Sequence, residues 1–563
     1  MINVLSTNVI SPLGFTTEQN YQAIKSGNSA LALYNNWKNI SEPFVASLFT
    51  EEQNLSLQIF GFSRFESIVI KSVEDALNKV SIDVSSERTC FILSTTKANV
   101  EDLLKNNNVY FSPAESASRI AQYFGIITDP IVVCNACISG VNAQLLAFRL
   151  INSGLYDNAI VCGADCQSPF IVSGFLSFKS LSPYECKPFD INRLGLNLGE
   201  AAATIILGKS VASETQWKLY NGHLNNDAFH VSAPSPIGDG TLRVIEKTLS
   251  DQNVKDLALV SVHGTATMFN DQMESKAIEK AGLSSIPISA IKGYFGHTLG
   301  AAGILETIIT MRALDDGCIL PVRGYNEIGV SGKISIDNKE HKTDKSTFLK
   351  IISGFGGCNG ALLFSKDNIL NIKENNIAKL NLSHSIRITS NSLFVDEKQI
   401  ETKENGKSLI AEIYKTHINN YPKFYKMDTF CKLVFIASEL LINLDNKLLK
   451  KEEERAIILF NSTSSIVTDK KFVASIKDKN NFFPSPSVFL YTLPNIVTGE
   501  IAIKNGYKGE TSFYVLRKKN EELMSQIIQT TYNQSSNIRS IITGWVDCFS
   551  ENEFDIDMKI LTI

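Results

Sequence analysis

Cys137 stands where an apolar, strand-like run gives way to a helix-like pattern. The apolar run covers residues 131–133, and the helical pattern follows over 141–151. A thiol at such a turn lies near unpaired backbone N–H groups and the positive end of a helix dipole, which favour a thiolate. A covalent nucleophile needs a thiolate. Free cysteine is also a common small core residue, so position alone leaves both interpretations open.

Two later segments carry histidines in polar surroundings. His263 ends an apolar run and is followed by Thr265 and Thr267. Lys292 and His297 precede a run of small residues at 298–303, which lets backbone or ligand approach closely. Either histidine alone is typical of a structural residue. The glycine-rich stretch alone could be a phosphate-binding loop, but it fits neither the Walker nor the dinucleotide spacing.

The composition limits the classes of function. The chain has 563 residues, 44% hydrophobic and 20% charged, with a formal net charge of −4, which is typical of a globular protein. No basic stripe interleaved with aromatics appears, so nucleic acid is not an expected partner. Cys134 and Cys137 form a C-x-x-C pair without a second pair, so no metal site is predicted. No apolar stretch reaches the roughly 18 residues that span a bilayer, and a cytoplasmic location is the default expectation.

Apolar strand-like runs alternate with helix-like segments through the first 365 residues, which predicts an α/β architecture with covered sheets. We expect a first domain over 1–366, a polar, Asn-rich linker over 367–385 and a second α/β domain over 386–563. The strand-like runs are Thr89 to Leu93, Ile131 to Val133, Ala159 to Cys162, Ala203 to Leu207, Leu257 to Val262 and Phe348 to Ile352.

The second domain repeats part of the first. Residues 125–163 map without gaps onto 506–544 at a constant shift of 381, with glycine at both ends of each segment. Repeats of this kind indicate a duplicated structural unit. In this register Lys518 occupies the position of Cys137, so the second copy cannot use the same nucleophile.

The turn at Cys137, the segment at His263 and the segment with Lys292 and His297, in this order, resemble the motifs of the β-ketoacyl-acyl carrier protein synthases. These are the condensing enzymes of fatty acid and polyketide assembly. The resemblance covers residues 1–365. Leu194 stands where the family has an acidic residue, and Cys358 where threonine is frequent. The further matches are Pro188-Phe189-Asp190, Arg193 with Gly195, Gly199-Glu200, Asp227 to His230, Ala233-Pro234 and Gly354 to Gly360.

The resemblance implies a thiolase-type fold, in which two similar halves stack as alternating helix and sheet layers. The C-terminal domain would be a degenerate extra half of the same kind, without the nucleophile. The family is normally homodimeric and acts with acyl carrier protein, and a further ketosynthase-like subunit is a possible partner. Substrates are carried on the phosphopantetheine arm, so no cofactor is expected.

The resemblance also implies roles for single residues. Cys137 would carry the acyl group, and its backbone N–H would form an oxyanion hole with that of Phe355. His263 and His297 would bind the malonyl thioester carbonyl, so that decarboxylation yields a stabilised enolate. That carbanion would attack the acyl-Cys137 carbonyl in a Claisen condensation.

Other positions would support these groups. Lys292 would pair with Glu306, and Phe355 would screen the acyl pocket. Thr265 and Thr267 would hydrogen-bond the phosphopantetheine amides. Asp271 and Glu274 match acidic positions of the family, and we interpret them as a charge network that holds loops.

Two alternatives remain. The chain could be a chain-length factor or scaffolding subunit for a separate synthase, although the intact Cys137, His263 and His297 argue against this for the first domain. It could also be a thiolase, which condenses coenzyme A thioesters without decarboxylation. Thiolases generally use a second cysteine with one histidine, and the two-histidine set disfavours that interpretation.

Overall fold

The computed structural model describes residues 1–105, 111–209, 216–250, 252, 254–367, 378–445, 452–535 and 537–563. In this part of the chain, fifteen main strands form three groups of five. The first group is β1 (Ile2–Ile10), β2 (Thr89–Ser94), β3 (Ile131–Val133), β4 (Asn158–Asp165) and β5 (Ala201–Gly208). The second is β6 (Lys218–Asn226), β7 (Leu259–Ser261), β8 (Ile288–Ser289), β9 (Thr347–Gly354) and β10 (Cys358–Ser365). The third is β11 (Asn381–Thr389), β12 (Arg455–Asn461), β13 (Thr511–Val515), β14 (Ser540–Cys548) and β15 (Phe554–Thr562).

All three groups have the same strand order and directions. The spatial order is first, fifth, fourth, second, third. The first strand is antiparallel to the fifth and the fifth to the fourth, whereas the fourth, second and third strands are parallel, in the first group, the second and the third. The predicted α/β fold built from similar halves is confirmed, and the C-terminal residues form a third sheet of the same topology.

Helices cover these sheets. In the described part of the chain, none is long and apolar enough to cross a membrane. They are α1 (Thr17–Lys25), α2 (Glu51–Leu57), α3 (Arg64–Leu77), α4 (Pro113–Tyr123), α5 (Ser139–Asn152), α6 (Pro169–Ser177), α7 (Asp239–Leu249), α8 (Met268–Lys280), α9 (Lys292–Phe295), α10 (Ala302–Asp315), α11 (Gly406–His417), α12 (Thr429–Leu444), α13 (Ile466–Ile476), α14 (Pro486–Tyr491), α15 (Ile496–Asn505) and α16 (Glu521–Gln534).

The layering follows from the period of the strand side chains. Cys90 and Ile92 on β2 pack into the core that contains α5 and α10, whereas Phe91 and Leu93 pack into a second core with α3. Successive strand residues point to opposite faces, so a fully apolar strand needs a covering layer on each side. Helix α5 is buried along nearly its whole length, which places the turn before it deep in the molecule.

The first and third sheets join edge to edge. Strand β3 pairs antiparallel with β13, so that Val133 faces Tyr514 and Val132 faces Val515. The sequence shift of 381 also relates Val133 to Tyr514, so the two sheets are arranged symmetrically about this pair. The first and third groups are therefore continuous, and neither β3 nor β13 is an exposed edge.

Buried ion pairs fasten the two parts of the chain. Arg149 on α5 makes a bidentate contact with Glu510, with both distances 2.7 Å, and both side chains are buried. Lys97 contacts Asp469 on α13 at 2.6 Å, again between buried side chains. Because leaving one member of such a pair unpaired is costly, these contacts hold the C-terminal residues firmly against the first domain.

The predicted linker, 367–385, overlaps strand β11, which begins at Asn381. Residues 368–377 of that linker lie outside the described part of the chain. The overlap arises because the first residues of β11 are largely solvent-facing and polar, whereas Ile386 and Ile388 further along are buried. Lys518 lies in an exposed turn between β13 and α16, the counterpart of the Cys137 turn.

Candidate active site

Cys137 lies in a single 3-10 turn, Ala136–Ile138, between β3 and α5. Ala136 has a φ of +48°, in the left-handed region that side chains other than glycine rarely adopt. The turn is held by the Ser139 hydroxyl, which accepts the Asn135 N–H at 2.7 Å. The thiol therefore lies at the strand-to-helix turn that the sequence predicts, on strained backbone of the kind that clusters at functional sites.

His297 lies directly beside the thiol. Its Nε2 is 3.1 Å from Sγ of Cys137. Its Nδ1 accepts the backbone N–H of Leu299 at 3.3 Å. Since a neutral imidazole carries one proton, this contact leaves the proton on Nε2, where it points at the sulfur. Gly296 before it has a φ of +69° and packs against the Leu198 carbonyl, where a Cβ would overlap.

His263 completes a set of three side chains. Its ring centroid is 5.1 Å from that of His297, and the two rings are nearly perpendicular. Lys292 Nζ is 3.2 Å from Nδ1 of His263, and it also contacts Glu306 at 2.5 Å. Because an ammonium group only donates, Nδ1 of His263 is the acceptor and Nε2 carries the proton. Both histidines thus present an Nε2–H.

Burial sets the protonation of all three groups. It lowers the pKa of His263 and of His297 well below the ordinary value, and the charge of Lys292 adds to the effect, so both imidazoles are neutral. Burial also raises the pKa of the Cys137 thiol to about 12, although Lys292 acts in the opposite direction. The thiolate favoured on sequence grounds is therefore not the resting form, because desolvation outweighs the helix terminus and the neighbouring cation.

Two buried carboxyl groups hold the loop that carries His263. Glu274 accepts the backbone N–H groups of His263 at 2.6 Å and of Gly264 at 2.9 Å. Asp271 accepts those of Thr265 at 3.1 Å and Phe189 at 2.7 Å. Burial raises the pKa of Glu274 to about 7 and that of Asp271 to about 6. Neither carboxyl group lines the pocket, and their contacts are those of loop-holding residues.

The three reactive side chains line one cavity of ≈ 410 Å³. Thr265 and Thr267 also line it, with their hydroxyl oxygens 2.9 Å apart. Phe355 forms part of the wall, where its ring packs against Phe175 and Phe178 at centroid distances of 6.3 and 5.6 Å. The structure thus brings Cys137, both histidines, both threonines and Phe355 to one space, with Lys292, Glu306, Asp271 and Glu274 behind it.

Two family models match the chain. Residues 70–212 match the N-terminal domain of β-ketoacyl synthase, and residues 219–326 match its C-terminal domain. The chain therefore matches both domains of the β-ketoacyl synthases. Cys137 falls in the first matched range, and His263 and His297 fall in the second.

Individual relatives agree with the family models. The chain is 26% identical over 407 residues to 3-oxoacyl-[acyl-carrier-protein] synthase 2 of Vibrio cholerae, an alignment that covers 64% of this chain and 98% of that protein. It is 29% identical over 276 residues to the tetracenomycin polyketide synthase ketoacyl synthase alpha subunit of Streptomyces glaucescens, covering 46% of this chain and 65% of that protein. These matches support a condensing enzyme.

A solved structure resembles the chain over its whole length. The PfaC keto synthase-chain length factor aligns with 100% of this chain and 78% of its own, at a TM-score of 0.74 and 14% sequence identity. At that identity the likeness concerns the fold alone. It extends to the C-terminal residues, which lie beyond both matched family domains.

The sequence did not identify two further residues that support the site. Lys350 Nζ contacts the second oxygen of Glu306 at 2.5 Å, so that this carboxylate lies between two buried ammonium groups. In the sequence, this residue is marked by being a lysine inside the otherwise largely apolar strand β9. The second residue is Asn495, whose side chain reaches the Phe355 loop from the C-terminal part of the chain.

The reactive side chains also have the composition of a metal site. Cys137, His263 and His297 offer three ligand atoms within 4.8 Å of one another. The buried ammonium groups of Lys292 and Lys350 lie behind them and lower the pKa of both imidazoles. The same positive charges disfavour a bound cation.

Proposed function

We propose that the chain catalyses the decarboxylative Claisen condensation of malonyl-acyl carrier protein with an acyl group held on Cys137, giving a β-ketoacyl-carrier protein. The observation that carries the proposal is the common pocket of one thiol and two imidazole Nε2–H groups. Such donors stabilise negative charge where it develops on a thioester oxygen, which is the main requirement of this reaction.

In the first half-reaction, Cys137 Sγ forms a bond to the acyl carbonyl carbon of the acyl-carrier protein, and the carrier's thiol leaves with a proton. The amino end of α5 and the His297 Nε2–H lower the cost of developing negative charge on sulfur. Gly354 permits the close approach of β9 to this turn, since a Cβ there would lie 3.2 Å from the Cys137 nitrogen. The oxyanion hole of the Cys137 and Phe355 N–H groups belongs to the proposal.

In the second half-reaction, the malonyl thioester carbonyl takes the hydrogen bonds of His263 and His297. The bond to the free carboxylate breaks, carbon dioxide leaves, and the electron pair becomes an enolate. The enolate carbon then bonds to the acyl carbon, the C–S bond breaks with its electron pair on sulfur, and the Cys137 thiolate takes up one proton from solvent to regenerate the thiol. Neutral imidazoles suit this step because each offers an N–H without placing a full charge beside Lys292.

The partner in this scheme is an acyl carrier protein, whose phosphopantetheine arm would hydrogen-bond Thr265 and Thr267 along the pocket. No cofactor enters either half-reaction. A cytoplasmic location remains a prediction from the sequence.

We further propose that the C-terminal residues are a degenerate half-ketosynthase. The proposal is supported by the common strand order of the first and third sheets, by the symmetric Val133–Tyr514 pairing and by the exposed Lys518 in place of a thiol. The expected homodimer would have to form through another face, because β13 already covers the edge of β3.

Product analysis tests the condensation. The chain incubated with acyl- and malonyl-carrier protein should yield a carrier-bound chain longer by two carbons. Cys137→Ala should abolish both the acyl-enzyme and the product. Cys358→Ala is the matched control, because this thiol also lines the pocket but has no imidazole partner in the described structure. Condensation by the Cys137→Ala variant would show that the nucleophile is wrongly assigned.

The same incubation separates the alternatives. A chain-length or scaffolding subunit would form no acyl-enzyme on its own and would only alter the products of an added synthase. A thiolase would join coenzyme A thioesters without release of carbon dioxide from the malonyl group. The exposed Lys518 in place of a thiol favours the scaffolding role for the C-terminal part alone.

A further inference from the structure

The C-terminal part of the chain contacts the loop that follows β9, next to the reactive thiol. Asn495, the residue before α15, is 1% exposed, and its Nδ2 donates a hydrogen bond to the Phe355 carbonyl at 2.8 Å. Its Oδ1 has no hydrogen-bond partner among the described residues. The contact with Phe355, together with a longer one from Nδ2 to the Cys358 sulfur at 3.9 Å, orients this buried amide.

The backbones at this contact are close enough to exclude side chains. A Cβ on Gly499 of α15 would lie 2.5 Å from the Gly356 carbonyl oxygen. A Cβ on Gly356, which has a φ of +91°, would lie 2.8 Å from Asn495 Nδ2. A displacement of the start of α15 would therefore be transmitted to the loop, because the Gly499 and Gly356 backbones lie against each other.

The rest of the loop is held by the first domain. The Gly356 N–H donates to the Val231 carbonyl at 2.7 Å, and Asn226 Nδ2 donates to the Gly356 carbonyl at 2.7 Å. The Asp227 N–H donates to the Gly357 carbonyl at 2.8 Å. The Phe355 carbonyl accepts the Asn495 amide from the C-terminal part of the chain at 2.8 Å and the weaker Cys358 S–H from the first domain at 3.3 Å. This peptide determines where the Phe355 ring and the preceding backbone lie relative to Cys137.

Aromatic contacts continue the same junction into the pocket wall. Phe489 on α14 packs against Phe175 at a centroid distance of 5.6 Å and against Phe178 at 6.2 Å. These are the two rings on which Phe355 rests. The C-terminal residues thus support Phe355 both through its carbonyl and through the rings beneath its side chain.

We propose that Asn495 is a positioning residue for the acyl-transfer step, which it serves by fixing the Phe355 peptide against the Cys137 turn. The inference rests on the proposed condensation. It assigns the C-terminal part a role in acyl transfer, in addition to its contribution to stability. The substrate class concerned is the acyl thioester that loads Cys137, since the malonyl thioester binds at the two histidines.

Single-turnover acylation of the full-length chain tests the inference. Asn495→Ala should slow acyl-enzyme formation roughly tenfold, the effect of losing one well-placed hydrogen bond. Asn495→Asp keeps the shape but places a carboxylate oxygen against the Phe355 carbonyl oxygen, so that two acceptors face each other. Acyl-enzyme formation by this variant should be at least as slow. Asn495→Ser keeps a donor and should recover part of the rate. The KM for the acyl-carrier protein should not change, because Asn495 does not line the cavity.

Asn505→Ala is the matched control. Asn505 lies at the end of the same helix, α15, where its Nδ2 donates to Glu439 at 2.7 Å, away from the loop. Its loss should lower the thermal midpoint by an amount similar to that of Asn495→Ala and leave acylation unchanged.

The outcomes are distinguishable. Wild-type acylation by Asn495→Ala, or equal slowing by Asn505→Ala, overturns the inference while the proposed function stands. If Asn495→Ala does not fold, the ratio of acylation rates for Asn495→Ser and Asn505→Ala decides, and a ratio of one overturns the inference. A wild-type chain that is never acylated instead refutes the proposed function itself.

Discussion

Replacing Lys292 with methionine isolates the group that orients His263. Lys292 Nζ lies 3.2 Å from Nδ1 of His263 and pairs with Glu306 at 2.5 Å. Methionine keeps the length and removes the donor, so the Nε2–H of His263 is no longer fixed towards the substrate. Loss of one donor of this kind costs about 2.7–4 kcal/mol of transition-state stabilisation, or roughly 10²–10³ in rate.

The loss should fall on decarboxylation. Carbon dioxide release from malonyl-carrier protein by the acylated enzyme is measured beside single-turnover acylation of Cys137, on the same sample. We expect acylation to change far less, because His297 keeps its own partner, the Leu299 N–H. Stability should fall by an amount at the lower end of about 3–5 kcal/mol, since Lys350 still pairs with Glu306.

The pH dependence of decarboxylation provides a second test of the role of Lys292. The charge of Lys292 lowers the pKa of His263, so its removal raises that pKa towards the ordinary value. Decarboxylation by the variant should therefore recover as pH falls, when His263 gains the proton that guarantees an Nε2–H. Lys350→Met is the matched control. It removes the other positive charge that pairs with Glu306, and the Lys350 side chain does not contact the His263 ring. Equal losses of decarboxylation rate in both variants, or a wild-type rate in Lys292→Met, would show that Lys292 does not orient His263.

Three further predictions concern stability and assembly. Because the folded pKa of Glu274 is about 7 against an ordinary 4.5, native chains bind its proton more tightly than unfolded ones. The free energy of unfolding should thus fall by up to about 3 kcal/mol as the pH rises from about 4.5 to about 7. Chemical denaturation of Glu274→Gln should lack this dependence on pH. Arg149→Met should cost about 3–5 kcal/mol by leaving Glu510 buried and unpaired, whereas Arg88→Met, at an exposed pair with Asp157, should cost under about 1 kcal/mol. If light scattering gives the mass of two 62.1 kDa chains, the dimer should form through another face, because β13 already covers β3; a dimer through that edge would contradict the pairing.

The sequence was most informative where function depends on neighbours along the chain. Cys137, His263 and His297 each end a strand or a short helix beside glycine or small residues, so local pattern reveals them. The gap-free shift of 381 likewise anticipated that Val133 and Tyr514 belong to equivalent strands, because sheet topology is repeated with the sequence.

Contacts between distant segments were not accessible in this way. Asn495 reaches the Phe355 carbonyl from 140 positions further along the chain, and no local motif marks it. The sequence shows Lys350 as a charged residue within an apolar strand, and only the structure shows that Glu306 pairs with it. The protonation of Cys137 was also misjudged, because local backbone predicts the helix terminus but not how far the surrounding layers exclude water.

The most direct measurement uses malonyl-carrier protein labelled with ¹³C in its free carboxylate. Intact mass of the carrier-bound product, together with the label in released carbon dioxide, reports bond formation and decarboxylation in one turnover. The proposed condensation predicts a chain lengthened by two carbons, all label in carbon dioxide, and neither event with Cys137→Ala. Label retained in the product, or carbon–carbon bond formation without Cys137, would contradict it.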